Sequence, residues 1–159
     1  MLSDWFPLRS KPAANAGVKS NGDWLMSLSV RIGIPEDFKE IRSFDEFWGD
    51  RRQEIQRGEL FVCINDNLEL AGFISLTRSC FFDYPFISYL CVKDKFKRQG
   101  VAKFMLDFIN EHLGGAKHFT STEIDNIEAR SLFEKAGYTF SGELSYLDDD
   151  KEVIYVKVN

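Results

Sequence analysis

The sequence predicts an α/β fold, a mixed, twisted β-sheet flanked by helices on both faces. Three observations carry this. The apolar run Phe86 to Val92 is short, continuous and rich in aromatic and branched residues, as a buried strand requires. A basic loop follows, Lys93 to Gln99, and then Gly100-Val101-Ala102 opens a helix whose apolar residues Val101, Phe104, Met105 and Phe108 recur at helical spacing. Asp125 to Tyr138 is a second helix with its punctuation. Asp125 is the expected N-cap, Glu128 completes a capping box, and Ala129, Leu132, Phe133 and Ala136 share one face. Gly137 stands where a left-handed residue closes a helix.

The other elements follow in order. Residues 1–25 read as an N-terminal extension or arm, with Pro7, Pro12, Gly17 and Gly22 and no sustained period, although Trp5, Phe6, Trp24 and Leu25 are apolar enough to dock. One domain is expected over residues 26–159, without internal repeats. Leu28 to Ile34 is the first strand, and Pro35 to Ile41 a short helix with Pro in its first turn. Ser43 and Glu46 form a capping box for a helix running to about Gln56. Leu60 to Ile64 and Leu68 to Thr77 make a hairpin around Asn65-Asp66-Asn67. Val101 to Leu113 is a helix closed by Gly114-Gly115, and Lys117 to Glu123 is the next strand. Thr139 to Tyr146 and Glu152 to Val158 form a last hairpin around Asp148-Asp149-Asp150.

Composition narrows the classes of function. The chain has 159 residues, 44% hydrophobic and 28% charged, which suits one globular domain with a real core. No apolar run reaches membrane-spanning length, and no signal-peptide pattern opens the chain, so no membrane partner is expected. The net charge of −5 argues against nucleic acid. Three cysteines, Cys63, Cys80 and Cys91, form no C-x-x-C or Cys/His cluster, so no metal is expected. Cys63 and Cys91 read as small buried hydrophobes, His112 and His118 as packing or surface residues, and a reducing cytoplasm as the compartment. No G-x-G-x-x-G follows an early strand, which argues against a dinucleotide-binding domain.

The strand, loop and helix around Gly100 make an anion site. Free N–H groups point outward at a helix N-terminus, the helix dipole favours negative charge, and Gly100 and Ala102 permit close approach. Lys93, Lys95, Lys97, Arg98 and Lys103 against Asp94 give +4 in a chain of net −5, so the remainder carries −9. That focusing suits a polyphosphate ligand.

K-R-Q-G-V-A, Lys97 to Ala102, resembles the acyl-CoA pyrophosphate loop of the GNAT N-acetyltransferases, R/Q-x-x-G-x-G/A. D-N-x-x-A-x-x-x-F-E-K-x-G-Y, Asp125 to Tyr138, resembles their later helix, N-x-x-A-x-x-x-Y-E-K-x-G-F. Order and separation also fit, and the resemblance runs from about Val30 to the C-terminus. It implies acetyl-CoA, or another acyl-CoA, as donor. The backbone of Gln99, Gly100, Val101 and Ala102 would hold the pyrophosphate, with Lys97 and Arg98 adding charge. The pantetheine arm would lie along Leu90, Cys91 and Val92, in the splay that the family has between two central strands. Asn126 would contact the pantetheine, and Arg130 and Phe133 would complete the cofactor side.

The chain also departs from the family. Ser88 stands where many members carry a central-strand Glu, and Phe133 where many carry a Tyr acid. A Ser88 hydroxyl is a poor base but can hold a water that relays a proton. A thiol with a pKa of about 8.5 is a tolerable leaving group without a dedicated acid. Ser88, Tyr89 and Tyr146 are the catalytic candidates, with Glu143 and Thr122 as further polar groups. The acceptor pocket is expected between Arg78–Pro85 and the last hairpin, whose sequences resemble one bacterial branch of small GNAT proteins. Aromatic rings beside Asp83, Glu143, Asp148, Asp149, Asp150 and Glu152 would suit a cationic amine. A homodimer is allowed for. Two functions follow: an N-acetyltransferase acting on a primary amine of a small molecule or protein, or a non-catalytic acyl-CoA-binding module that has lost its acid and base.

Overall fold

The computed structural model describes residues 15–18, 26–147 and 149–158. Trp5, Phe6, Trp24, Leu25 and Asp148 lie outside them. Eight strands among the described residues form one sheet: β1 (Asn15–Val18), β2 (Met26–Ile32), β3 (Leu60–Asn65), β4 (Leu70–Phe81), β5 (Tyr84–Val92), β6 (His118–Glu123), β7 (Thr139–Leu144) and β8 (Glu152–Lys157). Their spatial order is β1-β2-β3-β4-β5-β6-β8-β7. Every pairing is antiparallel except β5 with β6, which α3 joins by a crossover. Four residues of the expected arm thus form an edge strand on β2.

Helices cover both faces, as expected. The short α1 (Phe38–Arg42) and α2 (Arg52–Gln56) lie on one face, where Ile41 and Ile55 pack on Leu60, Val62, Leu70, Phe73 and Cys91. The longer α3 (Val101–His112) and α4 (Ile127–Lys135) lie on the other, where Met105, Leu106, Ile109 and Phe133 meet Phe61, Cys63, Ile74, Ile87 and Tyr155. The alternation of β3 divides its side chains between the two layers. Gly72 lets α3 and β5 come close, since a Cβ there would stand 2.6 Å from the Cys91 carbonyl oxygen and 3.1 Å from Met105 Cε.

Two expectations change. The helix from Ser43 to Gln56 is present only as α2. Ser43 closes α1 instead, its hydroxyl donating to Glu40 O at 2.6 Å, and Asp45 accepts from Phe47 N in a turn. Arg51, buried at 2% exposure, then holds the loop through Asp45, Glu54 and the Trp48 carbonyl. The second change is between Thr77 and Phe86, where the expected strands extend towards each other. β4 runs to Phe81 and β5 starts at Tyr84, so Phe82 and Asp83 are a two-residue turn with φ of 50° and 64°. Of the helix expected from Pro35, residues Pro35–Asp37 form a 3-10 turn and α1 begins at Phe38; other helix ends move by a residue or two. In α4 the N-cap is Asn126, whose Oδ1 accepts from Ala129 N at 3.0 Å, and not Asp125.

Candidate active site

β5 carries a bulge. Ser75 faces Tyr89 and Leu76 faces Ile87, which leaves Ser88 as the extra residue. The consequence is visible in the packing. Ile87 and Tyr89, two apart, point to opposite faces, Ile87 into the α3 layer and Tyr89 towards α1 and α2. The parallel ladder to β6 stops at the same point, having joined only Phe86 with Phe119 and Ile87 with Thr120. β5 continues to pair with β4 as far as Val92. The β6-facing backbone of Ser88 to Val92 therefore leaves the ladder, and a wedge opens between β5 and β6. Polar backbone groups there call for a ligand or water.

The wedge leads to the start of α3. After Val92 a 3-10 turn, Asp94–Phe96, is anchored by buried Phe96 and by Lys93 N donating to Ala71 O at 2.9 Å. Arg98 (φ 60°) and Gly100 (φ 81°) are left-handed and bend the chain into the helix. The first helical bond runs from Phe104 N to Gly100 O, so the N–H groups of Val101, Ala102 and Lys103 precede it. This is a cradle for an anionic group. The basic side chains contribute less than their number suggests. Lys93 pairs with Glu40, Lys95 with Glu69 and Lys103 with Asp107. Lys97 binds Asp94 and Glu46, whose hydrogen bonds hold its ammonium above its ordinary range. Arg98 is the exception in the loop, with no such partner among the described residues.

The other candidates are dispersed. Ser88 Oγ and Thr77 Oγ1 share a hydrogen bond of 2.6 Å, so one hydroxyl orients the other. The Tyr89 ring lies under the Arg51 guanidinium at 3.8 Å and beside Phe47. Tyr146 is 99% exposed at a left-handed residue of the β7–β8 turn. Phe133 is buried between Tyr138 and Tyr155. Arg130 directs its guanidinium to the Ile124 carbonyl and the Tyr155 hydroxyl, tying α4 to the sheet. Asn126 has its Oδ1 committed to the helix cap, and its amide N–H groups have no acceptor among the described residues. Thr122 lies on the helix-covered face with Val153, and Glu143 pairs with Lys151 at 3.5 Å.

On the face opposite α3 and α4 lies an open cleft of about 660 Å³, lined by Phe86 and Ser121 on either side of the end of the β5–β6 ladder. Phe81 and Phe86 form one wall, Leu144 and Leu147 another, and Ser121, Glu123, Asp149, Asp150 and Glu152 supply polar groups. The lining carries four carboxylates and no basic residue among the described residues. It joins the two regions expected to form an acceptor pocket. Sequence reasoning missed Thr77, Ser121, Glu123 and Arg51. The period-2 alternation Phe119, Ser121, Glu123 on β6 was a usable signal, whereas nothing local marks Arg51.

Comparison with known proteins adds the following. The family model described as Acetyltransferase (GNAT) domain matches residues 34–149. A GNAT family acetyltransferase from Bacillus cereus ATCC 10987 superposes with a TM-score of 0.74 at 27% identity, covering 83% of this chain and 98% of that one. A protein from Bacillus anthracis str. Ames, solved in complex with acetyl coenzyme A, gives a TM-score of 0.72 at 16% identity, covering 84% and 99%. The ribosomal-protein-S18-alanine N-acetyltransferase from Escherichia coli gives 0.65 at 16%, covering 81% and 92%. No curated protein sequence matches.

Proposed function

The chain belongs to the GNAT acetyltransferase family, and on that premise we propose that it transfers the acetyl group of acetyl-CoA to a primary amine of a small molecule or protein in the cytoplasm. The observation that carries this is the join between the β5–β6 wedge and the Gly100-led start of α3. The N–H groups at Gln99 to Ala102 and the Arg98 guanidinium hold the pyrophosphate. The open backbone of Leu90, Cys91 and Val92 binds the pantetheine amides, and Asn126 donates to them from the α4 cap. The thioester then lies beside the Ser88 bulge, where a free N–H can meet the developing oxyanion. Catalysis needs a neutral amine attacking that carbonyl. The acidic, aromatic-walled cleft favours a cationic acceptor. No helix among the described residues is long and apolar enough to cross a membrane.

The Ser88–Thr77 hydrogen bond and Phe133, buried where many relatives carry a Tyr acid, favour a second function, acyl-CoA binding without turnover. Thiol release from acetyl-CoA with a panel of mono-, di- and polyamines separates the two. Amine-dependent release with a matching acetylated product supports the transferase. Tight acetyl-CoA binding with no release above the hydrolysis blank across the panel overturns it.

A further inference from the structure

We infer that Glu152 is the carboxylate that binds the acceptor ammonium and takes its proton, and that Ser121 positions it. The inference rests on the transferase function proposed above. Glu152 opens β8, and its register partner on β6 is Glu123. Ser121, two residues before Glu123, shares that face and donates its hydroxyl to Glu152 Oε1 at 2.6 Å. Oε2 keeps no partner among the described residues. Ser121 is also the β6 residue that follows the last pair with β5, Ile87 with Thr120. A carboxylate fixed from Ser121 therefore stands in the cleft, held beside the end of the β5–β6 ladder.

The surroundings fit an unpaired cation. Glu123 faces Glu152 across the ladder, and Asp149 and Asp150 approach from the β7–β8 turn. Lys151, the nearest basic residue in sequence, is turned to Glu143. Like charges directly opposite on neighbouring strands destabilise a sheet. Such a pair, with no neutralising side chain in the cleft lining among the described residues, is suited to a ligand that brings the positive charge. Ser88 cannot serve this role as well, because its hydroxyl is a poor base and is engaged by Thr77.

The step balances as follows. The ammonium of the acceptor gives one proton to Glu152 and becomes a neutral amine. Its nitrogen lone pair forms the N–C bond to the thioester carbonyl, and the carbonyl π pair moves to oxygen. The oxyanion pair returns, the C–S bond breaks, and the sulfur leaves with the bonding electrons. The second proton lost from nitrogen protonates the thiolate, and Glu152 returns its proton to solvent. The products are the amide, CoA thiol and one proton.

The test uses the full chain and one good amine found in the screen. Glu152→Gln is expected to lower kcat/KM for the amine by about 10²–10⁴-fold. Its acetyl-CoA affinity should stay within about twofold, because no phosphate or pantetheine contact is removed. Its melting temperature should match or exceed wild type, since a repulsive pair is relieved. Its residual rate should climb about tenfold per pH unit until the free amine predominates, whereas wild type should level off earlier. Ser121→Ala should cost less than Glu152→Gln, and Ser121→Thr should restore most of the loss. A folded Glu152→Gln protein with wild-type kcat/KM and pH profile overturns the assignment while leaving the transferase standing. A wild-type protein that acetylates no amine overturns both.

Discussion

At the scale of single residues, burial decides which groups are chemically available. Burial pushes the Cys63 thiol up to about 12, and mainly the same effect pushes Cys91 to about 11. Cys80 is exposed. In the native protein one thiol should therefore react promptly with a disulfide reagent, and all three only in denaturant. Rapid native labelling of two or more would contradict the packing of β3 or β5. His118 is fully buried, its Nε2 paired with the Tyr138 hydroxyl at 2.8 Å and its Nδ1 with Ala116 O. Desolvation is the larger effect on it, and the Lys157 charge adds to it, so its pKa is lowered and the ring is neutral at pH 7. The unfolded chain takes up this proton near pH 6.5, the folded chain only at lower pH. The contribution to stability is whole above about pH 6.5 and is lost as pH falls through the folded value. His118→Gln should flatten the fall of melting temperature between about pH 6.5 and 5. Identical slopes in the two proteins would mean that His118 titrates normally in the fold.

At the scale of elements, cofactor binding is proposed at the turn into α3 and chemistry at the β5 bulge, and substitutions can separate the two. Gly100→Asp puts a carboxylate and a left-handed side chain where the pyrophosphate should sit. Ser88→Ala touches only the bulge and Thr77. Gly100→Asp is expected to weaken acetyl-CoA by tenfold or more, about 1.4 kcal/mol, and Ser88→Ala by less than threefold. Equal affinities in two folded variants, measured by calorimetry, would remove the phosphates from α3. This element was legible because its signals are local: an apolar run, a glycine, and Val101, Phe104, Met105 and Phe108 at helical spacing, of which Val101 and Met105 are fully buried and Phe104 and Phe108 pack partly buried against the core. So were α4, the hairpin around Asn65–Asn67 and the pairing of β7 with β8. The loop at residues 43–50 was not, because Ser43 can cap forwards or backwards. Long-range packing, with Arg51 lying over Tyr89, settles the choice. The bulge at Ser88 and the wedge beside it were equally hidden. A bulge is a mismatch of two registers, and no single strand records that. The proposed acceptor face was half legible. The last hairpin's acidic turn was visible, but the Ser121–Glu152 contact joins residues 31 positions apart.

At the scale of the whole molecule, the fold redistributes the charge that the sequence gathers. The +4 segment looked like a field aimed at phosphates, yet four of its five cations are paired with carboxylates, two of those from the 40–46 stretch and one from the β3–β4 turn. These are surface pairs, individually worth about 0–1 kcal/mol, and a polyphosphate can compete for them. What they cannot supply as fixed geometry is the set of N–H groups at the start of α3. Acetyl-CoA should therefore stabilise the folded protein through its phosphates and its pantetheine together. Ligand at a hundredfold excess over Kd adds about 2.7 kcal/mol, which for a domain of this size is roughly 5–10 °C in melting temperature. S-acetylpantetheine, which carries the thioester and both amides but no phosphate, should give a much smaller shift at the same concentration. Arg98→Ala should reduce the acetyl-CoA shift more than Lys97→Ala, because Arg98 has no carboxylate partner among the described residues and Lys97 is held by Asp94 and Glu46. Thermal melts of the three proteins with the two ligands decide it. An unmoved melting temperature at saturating acetyl-CoA would refute the donor site. Equal shifts from both ligands would place the binding energy in the wedge and take the phosphates away from α3.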